Sequence, residues 1–184
     1  MLESSGIVSF ADFIKWPPRD NIELLDGRVC NMPPSSEKQR RIQHELMKQL
    51  GHLSGLHETP FPVRLFEKAG DFPESVLTVL EPDICVVNEI NVDGHGCKGV
   101  PSLVIEILTT DSKRRTNLIM NRKLTLYSKA GVPELWIVDS EKREVRVYTQ
   151  RDGGLEVTDI FFPDDILYSK TRSECSVKLA AVLP

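Results

Sequence analysis

Long hydrophobic runs, paired cysteines and a surplus of positive charge are all missing from this chain, and each absence argues against a class of function. No stretch approaches the roughly 20 apolar residues that a membrane-spanning helix needs, so no membrane association is expected. The start, MLESSGIVSFADFIKW, carries acids early and lacks a basic opening followed by a long apolar run, which argues against a signal peptide. Cys30, Cys85, Cys97 and Cys175 are scattered, with no CxxC pair. That pattern favours reduced thiols in a cytoplasmic protein over a disulfide framework or a cysteine zinc site. His95-Gly96-Cys97 sets two metal-binding residue types almost side by side, a spacing that suits a Gly-rich turn better than tetrahedral coordination. A formal net charge of −4 argues against a protein coated in phosphate-binding groups. Gly/Ser-rich linkers, internal repeats and low-complexity segments are also absent, so residues 1–184 are expected to form one domain.

What is present begins with a 40% hydrophobic content, sufficient for a substantial core. Charge is uneven along the chain. Lys38, Arg40, Arg41 and Lys48 outnumber Glu37 and Glu45, and Lys113, Arg114, Arg115, Arg122, Lys123 and Lys129 face only Asp111. Such stretches suit phosphate contacts, and they equally suit solvated helix faces.

Turn and cap signals divide the chain. A short helix is expected around Phe10–Lys15. Asn21–Leu25 and Arg28–Met32 flank Asp26-Gly27, a strong hairpin signal. Ser35 or Ser36 can cap a helix running to about His52, with Ile42, Leu46, Leu50 and Leu53 on one side. Pro62–Glu67, Val76–Leu80, Asp83–Asn88 and Ser102–Leu108 read as strands. Asp111 or Ser112 opens a further helix that Gly131 stops. The strand Glu134–Val138 follows it, completing a β–α–β unit expected to be parallel. Glu144–Thr149 and Leu155–Phe161 suggest a meander through Gly153-Gly154. The pattern of the last twenty or so residues is less legible.

Two charges stand where apolar residues belong. On a wheel of about 100° per residue, Leu118, Ile119, Met120, Leu124, Leu126, Tyr127 and Ala130 share one broad arc, and Lys123 falls near its centre. Glu106 alone interrupts the apolar run SLVIEIL, of the kind found in a strand covered on both faces. Either the two form a buried ion pair, with the lysine stem able to snorkel outwards, or they belong to a site. The second reading needs another carboxylate, because hard divalent cations are normally held by more than one oxygen ligand.

Asp83 meets that need, since it opens the strand preceding the Glu106 strand. Asp83 and Glu106, with the Ile107 carbonyl, suit Mg²⁺ or its substitute Mn²⁺, and Lys123 can orient water or stabilise a phosphorane-like transition state. Metal-assisted phosphodiester hydrolysis is the chemistry this set serves. No organic cofactor is called for.

The segments ELLDGRV, EPDICVV, GCKGVPSLVIEIL and RKLTLYSKAGVPELWIVD, in this order, resemble the Uma2 family, placed among the PD-(D/E)XK restriction-endonuclease-like proteins. The resemblance implies an α/β (α+β) fold, a mixed sheet flanked by helices, here with an N-terminal hairpin and a C-terminal β-meander. It further implies Mg²⁺-dependent DNA cleavage and a homodimer. Asp83 takes the Pro-Asp position, Glu106 the second acidic position, and Lys123 the lysine position, displaced from strand to helix. Glu23 matches the acidic residue of the family's hairpin segment and is either an accessory acid or a surface charge. Gln39 or Lys38 stands where a histidine is common, and Gln39 is either a site or substrate contact or an exposed helix residue. Pro101 is followed by Ser102 rather than Asp, residues 109–112 read TTDS, and Ile119 replaces an acid. These departures leave open an alternative: a catalytically inactive nuclease-fold protein that binds DNA or serves in assembly.

Overall fold

A computed structural model of the chain describes residues 6–16, 21–68, 70–108 and 113–183, with backbone only for 113–117. Helix α1 (Phe10–Phe13) is a single turn, capped by Ser9 and Asp12 in a reciprocal capping box. It is shorter than the expected Phe10–Lys15. Strands β1 (Ile22–Leu25) and β2 (Arg28–Asn31) form the expected hairpin, and Asp26 and Gly27 both have positive φ, 49° and 73°. That is the backbone a two-residue turn needs to match the strand twist. Helix α2 (Glu37–Leu50) starts where Ser36 accepts a bond from the Gln39 amide, and it buries Ile42, Gln43, Leu46 and Leu50 along one face.

A run of short strands follows: β3 (Leu56–Glu58), β4 (Val63–Arg64), β5 (Val79–Leu80), β6 (Ile84–Val86), β7 (Val92–Asp93) and β8 (Gly96–Lys98). The expected Pro62–Glu67 and Val76–Leu80 strands contract to β4 and β5. Arg64 explains part of this, because its buried guanidinium draws in the turn that follows. It pairs with Glu67, donates to Asp93 at 2.7 Å and to the His95 carbonyl at 2.6 Å, and lies 5.0 Å from the centre of the Phe10 ring. Strand β9 (Leu103–Leu108), helix α3 (Lys113–Ala130) and strand β10 (Glu134–Asp139) form the expected β–α–β unit, and β9 and β10 are parallel. The residues proposed to open this helix, Asp111 and Ser112, lie outside the described residues. Strands β11 (Glu144–Arg151) and β12 (Gly154–Phe161) give the expected meander. The C-terminal hairpin β13 (Ile166–Tyr168) and β14 (Ser176–Lys178), with helix α4 (Leu179–Val182), had no clear signal in the sequence.

The strands build two six-stranded sheets, ordered β2-β1-β5-β4-β8-β7 and β12-β11-β10-β9-β6-β3. The second is a mixed sheet of the kind the family resemblance implies, with the expected parallel β–α–β unit at its centre, and the first is an addition to it. One face of the second sheet packs Ile84, Val86, Leu103, Ile105, Trp136 and Val138 against Ile42, Leu46 and Leu50 of α2 and the C-terminal elements. Its other face presents Cys85, Val104, Leu135 and Ile137 to Met120, Leu126 and Tyr127 of α3 and to Leu25, Val63 and Leu80 of the first sheet. Strand β9 is therefore covered on both faces, as its apolar run, interrupted only by Glu106, requires.

Lys123 is 1% exposed, so the helical wheel located its face correctly. Leu118 is the exception: it is 72% exposed, because it lies at the edge of the arc, about 140° from Lys123. Only His95 of His95-Gly96-Cys97 lies in the turn between β7 and β8, with Gly94; Gly96 and Cys97 open β8, and Gly96 at φ 96° brings its backbone against the Pro62 carbonyl. A Cβ there would sit 2.0 Å from that oxygen. Cys30 is half-buried and the other three cysteines are buried, all four as free thiols. Burial pushes the Cys97 thiol up to about 11 and that of Cys175 to about 12. Among the described residues, no helix is long and apolar enough to cross a membrane.

Candidate active site

Antiparallel pairing of β6 with β9 sets Ile84 opposite Ile105. One step further along the ladder, Asp83 comes beside Glu106, and side-chain alternation turns both towards α3. The contact is direct: the Ile107 amide donates to Asp83 Oδ2 at 2.7 Å. In a strand a residue's carbonyl points to the same edge as its N–H, so the Ile107 carbonyl also faces the Asp83 side. Gln39, from the first turn of α2, donates to Asp83 Oδ1 at 2.7 Å. Gln43, one turn later, donates to the Asp83 carbonyl oxygen at 3.1 Å. Both ends of the aspartate are thus fixed.

Lys123 enters from α3. Its Nζ lies 2.6 Å from Glu106 Oε1 and 2.9 Å from Glu23 Oε1. Glu23 shares a face of β1 with Leu25, which packs against α3, and this carries it inwards. Tyr127, four residues after Lys123 and on the same helix face, donates its hydroxyl to Glu106 Oε1 at 2.6 Å. The Glu81 amide donates to Glu23 Oε1 at 2.9 Å, while Glu23 Oε2 is buried without a hydrogen-bond partner. An orphaned carboxylate oxygen in a buried site is costly, and a cation or an ordered water is what would satisfy it.

Burial raises the pKa of Asp83, although the Ile107 amide, Lys123 and Gln39 pull it down. Burial pushes Glu106 up to about 7; Lys123 opposes the rise, and Asp83 and Glu23 add to it. Burial alone would lower the pKa of Lys123. Glu106 first, then Glu23, outweighs it and holds the ammonium charged well above its ordinary range. The Tyr127 hydroxyl is raised by burial and by Glu106, so it remains a donor.

These groups open onto a cavity of about 100 Å³, lined by Glu23, Gln39, Asp83, Glu106, Ile107 and Lys123, with Pro33, Pro34 and Ile119 among the residues of its wall. Among the described residues, no three His, Cys, Asp or Glu side chains are gathered to hold a metal ion. A soft metal does not suit the oxygen donors of this site. Mg²⁺ does, because it is usually held by one or two carboxylates and leaves its remaining positions to water and substrate. The donors here are all hard oxygens.

The structure brings all six anticipated residues, Asp83, Glu106, Lys123, Glu23, Gln39 and Ile107, to one cavity. Glu23 is 1% exposed, which removes the surface-charge alternative for it. Two contacts escaped the sequence reading. Tyr127 reads as core from its apolar arc, and its four-residue spacing from Lys123 was the available signal. Gln43 stands at the same spacing from Gln39. Arg122 points elsewhere, donating to the Leu25 carbonyl at 3.2 Å. The side chains of Arg114 and Arg115, and residues 109–112, lie outside the described residues.

A family model for Uma2, described as "Putative restriction endonuclease", matches residues 10–179. Among solved structures, the chain is similar to one from Anabaena variabilis described as "a putative nuclease belonging to DUF820". The two share 19% identity and superpose with a TM-score of 0.67 over 96% of this chain and 97% of that one. At that identity the likeness concerns the fold. No curated protein matches the chain.

Proposed function

The chain belongs to the Uma2 family, and on that premise we propose that it is a Mg²⁺-dependent endonuclease that hydrolyses DNA phosphodiester bonds. The observation that carries this reading is the meeting of Asp83 and Glu106 on paired strands with a charged Lys123 between Glu106 and Glu23. Such an arrangement exceeds what a simple ion pair needs, because one lysine cannot neutralise three buried acids.

Asp83, Glu106 and the Ile107 carbonyl would hold Mg²⁺, or Mn²⁺ in its place. A cation bound there supplies charge neutralisation for the phosphate and acidifies water. Gln39 and the Ile107 amide fix the orientation of Asp83. Tyr127 and Lys123 fix that of Glu106. Lys123 stays protonated beside two carboxylates, so its role is to place positive charge where a phosphoryl oxygen gains negative charge, and not to accept a proton. Glu23 sets the lysine's position from the opposite side.

The test is cleavage of plasmid and linear DNA in Mg²⁺ or Mn²⁺ by the wild type, Asp83→Ala and Lys123→Ala. Metal-dependent cutting by the wild type alone supports the reading, and equal activity in all three proteins sinks it. Metal binding without hydrolysis of any DNA would instead favour the inactive binding or assembly protein. A homodimer, which the family resemblance implies, is tested by the mass of the protein in solution.

A further inference from the structure

Beside the catalytic cavity lies a second, larger groove of about 680 Å³, whose walls include Phe13, Trp16, Pro60, Phe61 and His95. The two spaces share a partition. Glu81 lines both; Asn21 and Glu23 face the cavity while Ile22 between them faces the groove; Thr59 faces the cavity and Pro60 the groove. A ligand with its phosphate at Asp83 and Glu106 therefore has the groove within reach of its adjoining group.

The groove's chemistry suits an aromatic, uncharged group. Phe13 and Trp16 rings lie 5.8 Å apart, and His95 meets Phe10 edge-on at 5.9 Å. Phe61 is backed on one side by His57, with ring centroids 3.9 Å apart and planes within 9°, so its orientation is set before any ligand arrives. Among the described lining residues there is no lysine or arginine, and Asp93 at the edge is held by Arg64 and Lys98. None of these described lining residues recruits a phosphate. An aromatic trough can take a nucleobase, since every base offers a π-face. Within an intact duplex those faces are occupied by neighbouring bases, so only an unstacked base can enter.

We propose, resting on the nuclease reading above, that this groove receives a nucleobase next to the bond being cut. The preferred substrate is then DNA that is single-stranded at that point, such as a flap, an overhang or a free strand.

The experiment measures binding in EDTA, where no cutting occurs, of a twenty-nucleotide oligo(dT) and a blunt duplex of the same length. The wild type should bind the single strand at least tenfold more tightly. Phe61→Ala should lose about fivefold or more of that affinity, as deletion of a stacking platform does, while Phe61→Tyr retains it and duplex binding does not change. Should Phe61→Ala fail to fold, wild-type tryptophan emission gives a second measurement. Trp136 is buried and Trp16 lines the groove, so oligo(dT) should quench Trp16. Equal affinity for the two DNA forms, or no quenching, overturns the proposal. So does a dimer that Phe61→Ala dissociates, because the groove would then be filled by a second copy of the chain. Cleavage in Mg²⁺ separates this from the nuclease reading. Equal cutting of duplex and single strand, unaffected by Phe61→Ala, overturns the groove alone, whereas single-strand preference without any cutting supports the groove and overturns the nuclease reading.

Discussion

Lys123 and Glu23 lie 100 residues apart in the chain and 2.9 Å apart in the structure. Helix α3 carries one and the N-terminal hairpin the other, so a cation that the sequence pairs with Glu106 alone is in fact held between two acids. This changes what mutation of the lysine should do.

Lys123→Met should cost stability as well as activity. It leaves Glu106 and Glu23 buried without their cation, a loss of about 3–5 kcal/mol for a broken buried pair, read as a lower urea midpoint. Adding Glu23→Gln should recover part of that stability while cleavage stays down by about 10²–10³-fold, the usual cost of one charge-stabilising group. Recovery of cleavage in the double variant would show that the lysine's role is structural.

Stability should depend on pH through Glu106. Its folded pKa, about 7, lies above its ordinary 4.5, so the folded chain binds a proton that the unfolded chain releases. The stabilisation from that proton is complete below about pH 4.5 and is lost as pH rises through 7. Asp83, also raised, acts in the same direction. A divalent cation needs the deprotonated carboxylate, so the rise in Tm produced by Mg²⁺ should be larger at pH 8 than at pH 6. A constant Mg²⁺ effect across that range would count against Asp83 and Glu106 as the ligands.

Tyr127→Phe removes one donor from Glu106 and nothing else from the site. The expected result is a fall in kcat of about tenfold with KM unchanged, because the hydroxyl orients a carboxylate and touches no substrate. The pH at which cleavage is half-maximal should move upwards, since the carboxylate loses a bond that favours its charge. A change in KM alone would show that Tyr127 acts through DNA binding instead.

Glu134 offers the control. It is buried at 0% exposure and accepts from Trp136 Nε1 at 2.7 Å, Ser169 Oγ at 2.7 Å and the Thr171 amide at 2.9 Å. These bonds tie the loop after β13 to the central sheet. Glu134→Gln should lower stability by about 2–4 kcal/mol and leave cleavage at low temperature intact. Loss of cutting in the folded variant would mean that the site reaches further than the cavity.

What the sequence made legible follows from where charge and apolarity conflict. Glu106 inside an apolar strand and Lys123 inside an apolar helix face are conflicts that a pattern exposes, and Asp83 follows from strand order. Glu23 was named only through the family resemblance, as an accessory acid or a surface charge; its pairing with Lys123 depends on how the first sheet docks on the second, and no local period records that. Tyr127 was hidden for a different reason: an aromatic ring on an apolar arc is consistent with plain packing, and only its hydroxyl's partner distinguishes it. The three-residue strands β13 and β14 are each buried at one residue only, too short for alternation to stand out. Leu118 shows the opposite error, an apolar residue counted into a face whose edge it merely borders.

The docking of Glu23 has a consequence for synthesis. Asp83 and Glu106 leave the ribosome before Lys123, and the hairpin bearing Glu23 emerges earlier still. Until α3 has closed over them, the three acids face one another without their cation, and their mutual repulsion opposes assembly. In a nascent chain of this protein, then, the three acids gather at ease only once helix α3 has carried Lys123 to Glu106 and Glu23.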